Sequence, residues 1–245
     1  LALDGVLDLV RDTLDRIVGV RLLTEDDDVL LATRNGKAIR FRGTDVREFQ
    51  SRASMGVRGI RLMNDDQVIS MSILRRVGTT QEEREAYLRC PAWREKDEEC
   101  SLPAERYAEL AEKEQFLLTV TEHGYGKRSS TYEYRRTNRG GQGIINIVTS
   151  ERNGGVVASF PVKPGGQLML VTDQGKMIRT TVGDIRIAGR NTQGVTIFNV
   201  ANGEKVVSVA RIDESEEEEV ELEGGDEKAP ETGATVGEDL ASGEQ

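Results

Sequence analysis

The sequence predicts an all-β chain of propeller-like blades, and three observations carry that expectation. A strand–turn–strand pattern recurs: Val29–Arg40 returns as Leu168–Arg179, with another copy at Phe116–Arg128. Each copy runs through an apolar stretch, then Thr-x-x-Gly, then an Arg four residues after the Gly. A second element follows each one, at Gly56-Val57-Arg58-Gly59-Ile60, Gly140-Gly141-Gln142-Gly143-Ile144 and Asn191-Thr192-Gln193-Gly194-Val195. Two landmarks then agree on one period, since Thr121 to Thr172 and Gly143 to Gly194 both span 51 residues. A unit of about 50 residues holding three or four short strands is a propeller blade rather than a helical solenoid.

Taken in order, residues 1–23 resemble the end of an earlier blade, with Ile17-Val18-Gly19-Val20 matching the later closing strand Val206-Val207-Ser208-Val209. The start at Leu1 suggests a fragment. A complete blade then runs to residue 79, its hairpin turning at Thr33-x-x-Gly36 and its closing strand covering Val68–Ile73. Thr-x-x-Gly between apolar runs suits a hairpin whose Gly takes positive φ. The next Thr landmark lies 88 residues on, so an insertion of about 37 residues intervenes, and the acidic stretch 80–115 matches it in place and size. That insertion reads as helical. Thr80-x-x-Glu83 is a capping box opening a helix from Gln81 to about Ala92, and Ser101 with Pro103 starts a second toward Gln115. Leu88, Leu102, Tyr107, Leu110 and Ala111 are expected to pack the pair. Residues 116–212 hold two further blades, closing with Val156–Phe160 and Val206–Ala210. The remaining 213–245 read as a disordered acidic tail. About three and a half blades are present, and propellers close with roughly four to eight, so a C-terminal part of a larger ring is expected.

The 245 residues carry 33 Lys+Arg against 43 Asp+Glu, a formal net charge of −10. The sign is uneven along the chain. Residues 213–245 contribute −13 and 80–115 contribute −5, whereas 1–79 contribute +1 and 116–212 contribute +7. An acidic chain thus conceals a basic body, which points to a polyanion partner and to a tail able to compete with it. No run approaches 18 apolar residues and no basic-then-apolar leader is present, so the chain reads as cytoplasmic with no membrane partner.

Cys90, Cys100 and His123 are too few for a convincing zinc site, and the two cysteines are expected as structural thiols rather than a disulfide framework. No Gly-x-x-x-x-Gly-Lys-Ser/Thr occurs. The acidic runs Asp26–Asp28 and Glu216–Glu219 read as solvated charge, and Tyr107 as a helix-packing residue rather than a nucleophile. No enzyme active site and no cofactor site is legible. The basic residues differ because they recur with the blades. Arg40, Arg128 and Arg179 share one position; Lys37 and Lys176 share another, where the middle copy has Tyr125. Lys127 adjoins the second Arg, and Arg135, Arg136, Arg139, Arg186 and Arg190 lie between hairpins. These eleven residues are expected to form a cationic track along the blade rim that binds duplex DNA without sequence preference, since counterion release along phosphates drives such binding. With 4% aromatic residues, stacking on single strands is disfavoured. The rival from another class is a propeller that binds protein through the acidic helical insert.

The runs Asp28–Phe41, Ser51–Leu62, Leu118–Arg128, Arg139–Ile144 and Thr172–Arg179 resemble the C-terminal domain of the DNA gyrase A subunit, over about 1–212. The resemblance implies a six-bladed β-pinwheel that wraps duplex DNA around its rim and supports ATP-dependent negative supercoiling. It implies partnership with the rest of the gyrase A subunit, together with the B subunit, in a heterotetramer of the bacterial cytoplasm and nucleoid. It places the active tyrosine, ATP and Mg2+ on other parts, leaving this fragment without catalytic residues. The family's Gln-Arg-Arg-Gly-Gly-Arg-Gly box is absent, and Arg139-Gly140-Gly141-Gln142-Gly143 is its degenerate counterpart. Within the same family, the topoisomerase IV A subunit is the alternative.

Overall fold

Thr33-Arg34-Asn35-Gly36 folds as the expected hairpin tip, with Gly36 at φ 78° and its amide donating to Thr33 O. The computed structural model describes residues 17–50, 53–94 and 100–212. The tip joins β1 (Asp27–Thr33) to β2 (Lys37–Arg42), antiparallel with Leu30 opposite Arg40. β3 (Val68–Arg75) pairs with the other edge of β1. Two helices follow, α1 (Gln81–Arg89) and α2 (Ala104–Glu112). The second repeat supplies β4 (Phe116–Thr121), β5 (Tyr125–Ser130), the two-residue β6 (Ile144–Ile145) and β7 (Val156–Val162). The third supplies β8 (Gln167–Thr172), β9 (Met177–Thr181), the short β10 (Val195–Thr196) and β11 (Val206–Ile212).

Among the described residues these strands form three sheets, ordered β3-β1-β2-β6, β10-β5-β4-β7 and β11-β8-β9. The all-β, blade-by-blade expectation is therefore met, with one change in how a blade is assembled. The second and third Gly-rich elements each lead into a strand that joins the sheet of the preceding repeat: β6 pairs with β2, and β10 with β5. The element crosses over rather than turning within its own blade. Gly36 is required at the first crossing because a Cβ there would sit 2.2 Å from Ile147 O of the next repeat. The positive φ adds a second reason, as only Gly adopts it without strain. Among the described residues β9 is an edge strand of the third sheet.

Apolar residues fill the joints between sheets. Leu30, Ala32, Ala38 and Leu74 of the first repeat pack with Leu117 and Tyr134 of the second. Phe116, Leu118, Val120 and Val162 of the second pack with Leu168, Leu170, Val182 and Ile185 of the third. At the first joint Tyr134 is enclosed among these apolar chains, yet its hydroxyl donates to Asn146 Oδ1 at 2.6 Å, so the buried polar tip is satisfied.

The insertion is helical where expected, and Thr80 and Glu83 make the reciprocal capping-box bonds. Leu88, Leu102, Tyr107, Leu110 and Ala111 do pack together, around Tyr87 and Tyr132. Tyr132 belongs to the second blade, so the helices are seated on that blade as well as on each other. Two expectations are corrected. Ile17–Val20 forms no strand among the described residues. Cys90 and Cys100 are bonded to each other, with Cα atoms 5.7 Å apart, rather than standing as separate thiols. The rest of the expected earlier blade, residues 1–16, and the expected disordered tail, residues 213–245, lie outside the described residues.

Candidate nucleic-acid interface

The blade-repeated Arg is a strut in the first two repeats. Arg40 lies on β2 with its side chain 10% exposed; Nε donates to Asp28 Oδ2 at 2.8 Å, and one terminal nitrogen donates to Thr131 O of the next repeat. Arg128 occupies the same place on β5 and is 8% exposed. Its guanidinium donates to Ile185 O at 2.6 Å and Gly183 O at 2.9 Å and lies over the Phe116 ring. Burial pulls both guanidinium groups below their ordinary value, with Asp28 opposing this at Arg40 and Asp184 at Arg128. In each case the following repeat's crossover segment runs alongside: Thr137 N donates to Arg40 O, and Ala188 N to Arg128 O. The third copy, Arg179, stands exposed on β9 and donates to Gln167.

Lys127 is buried completely. Its ammonium meets four oxygens: Gly189 O at 2.6 Å, Arg190 O at 2.7 Å, Thr192 Oγ1 at 3.1 Å and Thr192 O at 3.4 Å. Burial lowers its pKa to about 7; Glu133 acts against that fall and Arg190 with it. The expectation that Arg40, Lys127 and Arg128 lie on an open track is therefore corrected. Their charges face carbonyls and carboxylates of the fold, since a buried cation must find such partners.

The other eight expected residues divide by exposure. Lys37, Arg135, Arg136, Lys176, Arg179 and Arg186 are exposed, whereas Arg139 and Arg190 are half-buried. Arg139 clamps the first repeat by donating to Asp45 O and Arg58 O, and Arg190 donates to Ile145 O. Arg136 comes within 3.8 Å of Asp28, joining Arg40 around that buried carboxylate. Lys176 is held by Glu204 at 2.6 Å, an enclosed carboxylate that also accepts from the Thr172 hydroxyl. Those two bonds, Lys176 foremost, hold the Glu204 pKa down to about 2.

One repeated cationic position went unrecognised in the sequence. Gly43–Asp45 and Thr131–Glu133 are matching 3-10 turns, and a turn of the same bonding, Ile185 N to Val182 O, recurs in the third repeat. Two residues after each turn comes Arg47, Arg135 or Arg186, and all three are exposed. Their spacings of 88 and 51 residues equal those of the Thr landmarks, which is the signal that would have found Arg47. Arg135 and Arg186 each stand at the start of a crossover segment. Arg136 bridges Arg40, and Ile187 bridges Arg128, immediately after these two. Exposed Arg42, Arg58 and Arg61 add charge to the first repeat.

The geometry agrees with comparison to known proteins. A family described as the DNA gyrase C-terminal domain, β-propeller, matches at residues 27–75, 115–163 and 166–213, one match per repeat. The chain belongs to this family. The DNA gyrase A subunit of Rickettsia bellii (strain RML369-C) is 45% identical over 243 residues, covering 94% of this chain and 27% of that protein. That of Granulibacter bethesdensis (strain ATCC BAA-1260 / CGDNIH1) is 43% identical, covering 92% and 27%. The chain therefore spans about a quarter of the length of these gyrase subunits. A solved gyrase A C-terminal domain superposes with TM-score 0.62 at 21% identity, covering 85% of this chain and 58% of that one. A topoisomerase IV C-terminal domain gives 0.64 at 20%, covering 88% and 56%, so backbone shape is common to both. The relatives at 43–45% identity are gyrase A subunits, whereas the two solved domains, at 20–21%, show only the fold of this domain. Within it, the described residues hold no group of three or more His, Cys, Asp or Glu placed to bind a metal ion. No described helix is long and apolar enough to cross a membrane.

Proposed function

We propose that this domain binds and wraps duplex DNA, without sequence preference, as the C-terminal part of a gyrase A subunit in the bacterial cytoplasm and nucleoid. In this reading it supports ATP-dependent negative supercoiling, while strand cleavage, ATP and Mg2+ belong to the rest of the A subunit or to the B subunit. The observation that carries the reading is the exposed Arg47, Arg135 and Arg186, one per repeat at one structural position. Phosphates recur along a duplex, and a cation recurring with the blade matches that repetition without reading bases. Around them we place Lys37, Arg136, Lys176, Arg179 and the half-buried Arg139 and Arg190. Arg40, Lys127 and Arg128 act from beneath.

Titration of a plain duplex of about 100 base pairs across a salt series tests this. Replacing Arg47, Arg135 and Arg186 by Ala together is expected to lower the slope of log K against log[salt] by about 2.7, at about 0.9 per phosphate contact. Scrambling the duplex sequence should leave affinity unchanged. An unaltered slope in the triple variant, or strong preference for one sequence, removes the proposal.

A further inference from the structure

Lys127 is the one cation at its repeat position, since the first and third repeats carry Ile39 and Ile178 there. Ile39 is buried among apolar neighbours, with Gly141 of the crossing loop beside it. In the first repeat the loop is also held by backbone: Gly140 N donates to Gly59 O, and Arg61 N to Gly141 O. In the second repeat Arg128 N donates to Arg186 O and Ala188 N to Arg128 O, and side chains of three consecutive residues of β5 add to that backbone pairing. Arg128 holds the carbonyls of Gly183 and Ile185, the Ser129 hydroxyl donates to Ala188 O, and Lys127 gathers those of Gly189, Arg190 and Thr192. The segment so held begins beside Arg186 and contains Arg190.

We propose that Lys127 is a positioning residue for DNA binding: buried beneath the third repeat's crossover, it holds that loop so that Arg186 and Arg190 meet the duplex as a fixed pair. Its own charge never reaches a phosphate. An ammonium suits this role because three N–H donors can satisfy several carbonyls converging on one point, which an isoleucine cannot do. Gly189 O also accepts from the Thr192 hydroxyl and Thr192 O from Val148 N, so removing the ammonium frees Arg190 O above all; that carbonyl would turn toward water and loosen the loop at Arg190. This inference rests on the proposed DNA binding, but its structural half can be measured without DNA.

The test compares Lys127→Met, Arg186→Ala/Arg190→Ala and the triple combination in the 245-residue chain. Amide hydrogen exchange without DNA is expected to show at least a tenfold loss of protection in Lys127→Met at Ala188 and Arg190, the amides of residues 186–192 that donate hydrogen bonds, with β8 unchanged. With a labelled 100-base-pair duplex, Lys127→Met should lower the salt slope by about 1.8, two phosphates at about 0.9 each. Adding it to the double Arg variant should change nothing further. If Lys127→Met fails to fold, Thr192→Val, which removes one of the four oxygens, decides by the same two readouts with smaller effects. Retained protection at Ala188 and Arg190 overturns the inference, as does a Lys127 effect that multiplies with the Arg variants. If the unmodified chain binds no duplex, the DNA-binding proposal fails, and exchange alone then reports whether Lys127 holds the loop.

Discussion

Replacing Arg128 by Met, which keeps the apolar stem and removes the guanidinium, should unfold this domain far more readily than the same change at Arg179. Arg128 donates to two backbone carbonyls, at 2.6 and 2.9 Å, and only 8% of the residue is exposed. A hydrogen bond from a charged donor contributes about 1.5–3 kcal/mol. Releasing a guanidinium from a poorly solvated site offsets part of that, leaving a destabilisation of about 2–4 kcal/mol. With a urea dependence of about 2–3 kcal/mol per M, the midpoint should fall by roughly 1–2 M. Arg179 is exposed, and such surface changes stay within about 0.5 kcal/mol. Urea titrations followed by far-ultraviolet circular dichroism compare the two variants directly. Equal midpoints, or an Arg128→Met protein that keeps full stability and loses only DNA affinity, would refute the strut argument.

Acid stability should depend on Glu204. Its pKa is depressed to about 2, so the stability it contributes is complete above its ordinary value near 4.5 and drains away as pH falls toward 2. Melting temperatures between pH 6 and 2 should therefore drop more steeply for the natural chain than for Glu204→Gln, and parallel curves would count against the Lys176–Glu204 pairing. The hairpin tips offer a matched comparison. Gly36→Ala meets Ile147 O as well as an unfavourable φ, whereas Gly175, at φ 80°, has nothing within 4 Å of an added methyl group. Gly175→Ala is expected to cost only the roughly 1–2 kcal/mol of left-handed backbone, and Gly36→Ala distinctly more; equal denaturation midpoints would contradict the crossover contact.

Much of the architecture was legible because it is written locally. Thr-x-x-Gly between apolar runs encodes a hairpin within a dozen residues, and three copies at consistent spacing establish the repeat. Thr80 and Glu83 announce a helix start from four residues, and both capping bonds form. The origin of the fourth strand in the first two sheets was not legible, since β6 and β10 are two residues long and carry too little pattern to show which sheet they join. Nor was the Cys90–Cys100 bond, because sequence spacing says nothing of whether the two cysteines are brought together.

By itself, the sequence determined the repeat, the place of the insertion, the basic character of the blades and the positions at which cations recur. Only the tertiary structure decided which cations face outward. Arg128 and Arg179 share one motif position, yet one is enclosed and the other exposed. The difference is the carbonyls of Gly183 and Ile185, more than 50 residues further along the chain, which lie over Arg128 because a following repeat crosses there. No following repeat crosses β9 among the described residues, so Arg179 stays at the surface. A motif specifies a side chain and its local backbone, whereas burial depends on what another part of the chain places opposite.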